Sequence, residues 1–92
     1  MAAAVTAHPT LVHKYATVLE TLVRADIAAD PARFGTARSW QDLHDVCDAN
    51  DYLEEADRII GIAPVTDYLA DGYLTLTNTA IQMASTRLWP TA

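Results

Sequence analysis

The chain has 92 residues, 51% hydrophobic and 20% charged, with three Gly and four Pro; this composition is that of one globular domain over 1–92 and not of a disordered chain. A net charge of −6 repels phosphate and argues against direct nucleic-acid binding. No apolar run approaches the roughly 20 residues that span a bilayer, the opening MAAAVTAHPT lacks the basic and apolar regions of a secretory signal, and the lone Cys47 can form no internal disulfide. The expected location is therefore the cytoplasm.

Three helical segments are expected, at about 9–29, 39–60 and 64–88. Pro9 suits a first helical turn, since its φ is fixed and its missing N–H would be unpaired there. Leu11, Val12, Tyr15, Val18, Leu19, Leu22, Val23 and Ile27 then recur at steps of three and four, the mark of an amphipathic helix. Asp30-Pro31 stops it, because the residue before proline avoids the α region. Residues 31–38 read as a connector that Phe34 anchors in the core.

Ser39-x-x-Asp42 resembles a capping box and opens the second segment. Leu43, Val46, Cys47, Leu53, Ala56, Ile59 and Ile60 carry its apolar face, and Asn50 falls where an apolar residue is expected. The segment is either one helix or two short ones meeting near 48–51, with Gly61 as its stop. Pro64 opens the third, continued by Val65, Tyr68, Leu69, Leu76, Ala80, Met83, Ala84 and Leu88. Gly72 marks a candidate kink. Tyr73 to Thr77 alternates like a strand, but a lone strand would have no partner, so helix is the reading. The expected fold is all-α, a compact bundle of three main helices with Trp40 and Trp89 near its ends.

Seven of the twelve acids fall between 42 and 57: Asp42, Asp45, Asp48, Asp51, Glu54, Glu55 and Asp57, with no basic residue until Arg58. Steps of three place successive acids about 60° apart on a helix, a drifting stripe beside the apolar face. Such a stripe either keeps the protein soluble or docks a basic partner. The residues expected to make the docking contact are Asp42, Asp45, Asp48, Asp51 and Glu55. Mimicry of duplex DNA by the same charges is a further alternative.

Catalytic and cofactor chemistry finds little support. Asp48-Ala49-Asn50 begins like a calcium loop, but Tyr52 takes the next ligand position and no Gly follows. His44 lies one helical turn from Cys47 and from Asp48, yet a structural zinc site needs four ligands. Cys47 would need a base such as His44 oriented by Asp45 or Asp48 to act as a nucleophile; on the apolar face it reads instead as a small core hydrophobe. No phosphate-binding glycine loop, G-x-S-x-G or H-E-x-x-H is present. No metal, cofactor or catalytic residue is assigned. Trp40, Tyr52, Tyr68 and Tyr73 read as packing residues, His44 as a polar contact, and Asn50, if buried, as a residue that fixes helix register through backbone hydrogen bonds.

The run from Ser39 to Asn50 resembles a pattern [ST]-aromatic-x-[DE]-L-H-x-x-x-D-A-N of small uncharacterised proteins encoded by bacteriophages of actinobacteria. The matching positions are Ser39, Trp40, Asp42, Leu43, His44, Asp48, Ala49 and Asn50. The resemblance implies no reaction. It implies a helix–turn contact network of Leu43, His44, Asp48 and Asn50 within a structural motif of Ser39, Trp40, Leu43, His44 and Asn50, and an accessory role in binding a host or phage protein. The function expected is non-enzymatic binding through an acidic helical surface; the alternatives are self-assembly, for which the hydrophobic content leaves apolar surface, and regulation by DNA mimicry.

Overall fold

A computed structural model describes the backbone of residues 9–61 and 69–90, and the side chains of 10–61 and 75–90. Five helices run through them in the order α1 (Pro9–Ala29), α2 (Pro31–Phe34), α3 (Trp40–Val46), α4 (Asn50–Ile60) and α5 (Leu69–Leu88), with no strand among the described residues. The architecture is an all-α helical bundle. α1 is its central element, packed most extensively along α5 and next along α4.

The first helix follows its apolar period. Tyr15, Ala16, Leu19 and Val23 are fully buried, a stripe at steps of one, three and four that faces the other helices. α1 ends at Ala29, as the Asp30-Pro31 step requires. The connector then makes a helical turn of its own: Pro31 takes the first position of α2, and the Asp30 carboxylate accepts from the Arg33 N–H at 3.3 Å. Phe34 is buried as expected. Gly35 is required by close approach, since an added Cβ would stand 2.4 Å from the Pro31 carbonyl oxygen.

The segment 39–60 is two helices. Ser39 caps α3, its hydroxyl accepting from the Asp42 N–H at 3.1 Å. The Asp42 carboxylate accepts in return from the Arg38 N–H at 2.8 Å, one residue before the position it would reach in a capping box. At Cys47 the backbone turns extended, with φ −154° and ψ −178°. Asp48 then restarts the helix. Its carboxylate accepts from the Asn50 N–H at 3.1 Å and its carbonyl from the Asp51 N–H at 3.0 Å, an alternative to continued helical bonding that aspartate offers readily. Gly61 ends α4 at φ +99°, a conformation that costs any residue with a Cβ.

The third segment is helical through Gly72 and through the alternating stretch 73–77. Its expected start at Pro64 lies outside the described residues. The core is completed by Leu76, Ala80 and Ala84 from α5, with Leu43, Ala49, Tyr52 and Ala56 from α3, the corner and α4. Trp40 and Trp89 pack against this core from its margin. Buried alanines on α1, α4 and α5 let the helix axes approach closely, since the interaxial distance is set by the side chains at the contact.

Candidate functional site

The break at 47–49 decides what the acidic run becomes. Asp42 and Asp45 lie on α3, Asp48 in the corner, and Asp51, Glu54, Glu55 and Asp57 on α4. The continuous stripe around one helix, expected from steps of three, is therefore replaced by a helix–corner–helix surface. The corner is fixed from behind. Arg33 donates to the Val46 carbonyl at 2.8 Å, pairing an open backbone acceptor at the end of α3. The Tyr52 hydroxyl donates to Asp26 Oδ2 at 2.6 Å across to α1, and the Trp40 ring meets the Tyr52 ring edge-on at 5.9 Å.

The acids separate into two groups. Asp42 is half-buried and held in the α3 cap. Asp57 is half-buried, its Oδ1 accepting from the Tyr15 hydroxyl at 2.5 Å. These carboxylates belong to the fold. Asp45, Asp48, Asp51 and Glu54 are exposed, and the salt bridges among the described residues engage none of these four. Glu55 lies at the edge in an exposed ion pair with Arg58, of a kind that contributes little to stability.

The motif residues divide as well. Ser39, Trp40 and Leu43 build the corner: a cap, an aromatic contact and a fully buried side chain. His44 is exposed, and among the described residues no hydrogen bond engages its side chain. Asn50 is exposed at the first position of α4. It is not the buried residue that would fix register, because the corner resets the helical phase.

The tyrosine pairs were not evident in the sequence. Tyr15 and Asp57 join α1 to α4 at one end of their contact, and Asp26 and Tyr52 join them at the other. The reversed order shows that the two helices run antiparallel. The Tyr15 hydroxyl also lies 3.1 Å from the Leu53 carbonyl. Burial, then the hydrogen bond to Asp26 and the nearby Cys47 thiol, push the Tyr52 hydroxyl well above the usual phenol range. It stays protonated at neutral pH and serves as a donor, not as a base. Cys47 is half-buried with its sulfur 4.0 Å from that hydroxyl.

No three His, Cys, Asp or Glu side chains converge on a metal-sized site among the described residues. No helix among them is long and apolar enough to cross a membrane. Comparison with protein-family models, curated proteins and solved structures returned no match.

Proposed function

We propose that the protein is a non-enzymatic accessory protein of phage origin, which docks a basic surface of a host or phage protein against its acidic corner. The contact is made by Asp45, Asp48, Asp51 and Glu54, with Glu55 at its edge. The observation that supports this most is their exposure within one fixed corner, where Arg58 is the sole cation of the run. Like charges gathered on one surface repel each other, and a basic partner would relieve that repulsion. Self-assembly has less to build on: Ile59, 53% exposed, is the exposed large hydrophobic among the described residues.

The reading is tested by capture from actinobacterial lysate with the native protein and with a variant carrying Asp45→Lys, Asp48→Asn, Asp51→Lys and Glu54→Lys. Asp42 is left intact because its carboxylate serves the α3 cap, and Asn at 48 keeps an acceptor for the corner. A protein held by the native form, released by salt and lost in the folded variant is the expected result. Equal capture by both forms would refute the docking surface. Competition by duplex DNA for the captured protein would indicate mimicry, and multimers in light scattering without capture would indicate self-assembly.

A further inference from the structure

We draw no further inference here: the strongest candidate, the surface cluster of Arg24 and Arg87 where α1 meets the C-terminal end of α5, carries nothing, because its guanidinium groups already pair with Glu20, Thr17, His13 and the Arg87 carbonyl and nothing in the structure shows what else they would hold.

Discussion

Replacing Tyr15 by Phe removes one hydroxyl from a fully buried side chain and leaves the ring in place. That hydroxyl donates to Asp57 Oδ1 at 2.5 Å and lies 3.1 Å from the Leu53 carbonyl. Hydrogen bonds to charged groups contribute about 1.5–3 kcal/mol. Asp57 is half-exposed, so water can replace part of the lost bond, and the expected cost sits at the lower end, about 1.5–2 kcal/mol. A domain of this size has roughly 5–14 kcal/mol of stability in all, so the loss is easily measured. It corresponds to a fall in Tm of roughly 6–16 °C. Urea unfolding followed by far-UV circular dichroism gives the free energy. A double-mutant cycle with Asp57→Ala isolates the pair from other contacts of either residue, with an expected coupling of about 1–2 kcal/mol. A Tyr15→Phe cost below about 0.5 kcal/mol, or a coupling of zero, would refute the claim that this bond ties α1 to α4.

Other consequences follow from the same structure. Tyr52 titrates above the ordinary phenol range in the folded state. Its contribution is fully present below about pH 10, where the unfolded phenol keeps its proton, and is lost as pH rises beyond that; Tyr52→Phe should remove this part of the alkaline loss in a series of unfolding curves. Ser39→Ala takes away the α3 cap at a cost of about 1 kcal/mol, measured by chemical unfolding, and Ser39→Asp should largely restore it. Leu43→Ala opens a cavity at a fully buried position and should cost about 2–5 kcal/mol, whereas His44→Ala, one residue on and exposed, should change stability by less than about 0.5 kcal/mol.

The helices were legible wherever local chemistry sets them. Asp30-Pro31 ends α1, Ser39 caps α3 and Gly61 stops α4, because each acts within a few residues of itself. The corner was half legible. The apolar period allowed one helix or two, and the choice rests on Asp48, whose carboxylate competes for backbone N–H groups that a continuous helix would use. Asn50 could be placed on an apolar face only by carrying the helical phase across that break. Asp42 shows the opposite difficulty: its spacing from Ser39 marked it as a capping residue, and its charge marked it as a docking acid. The structure puts its carboxylate in the cap.

What composition and period do not contain is the pairing of tyrosines with acids far along the chain. Tyr15 and Asp57 stand 42 residues apart, and Asp26 and Tyr52 stand 26 apart. Both tyrosines read correctly as packing residues by their apolar bodies. Their hydroxyls find partners only once α1 and α4 lie antiparallel. The separation of the acidic residues into fold and surface groups depends on the same tertiary arrangement.

On the proposed function, Asp45, Asp51 and Glu54 attract a basic partner together with Asp48, whose carboxylate also shapes the corner, while Asp42 and Asp57 serve the fold alone. The most direct measurement is the association rate of the captured partner with the native protein and with the charge-reversed corner variant, at low and at physiological ionic strength. The expected result is a native rate that falls with added salt and a variant rate at least about tenfold lower at low salt, with folding intact. Equal rates for the two proteins, insensitive to salt, would contradict it.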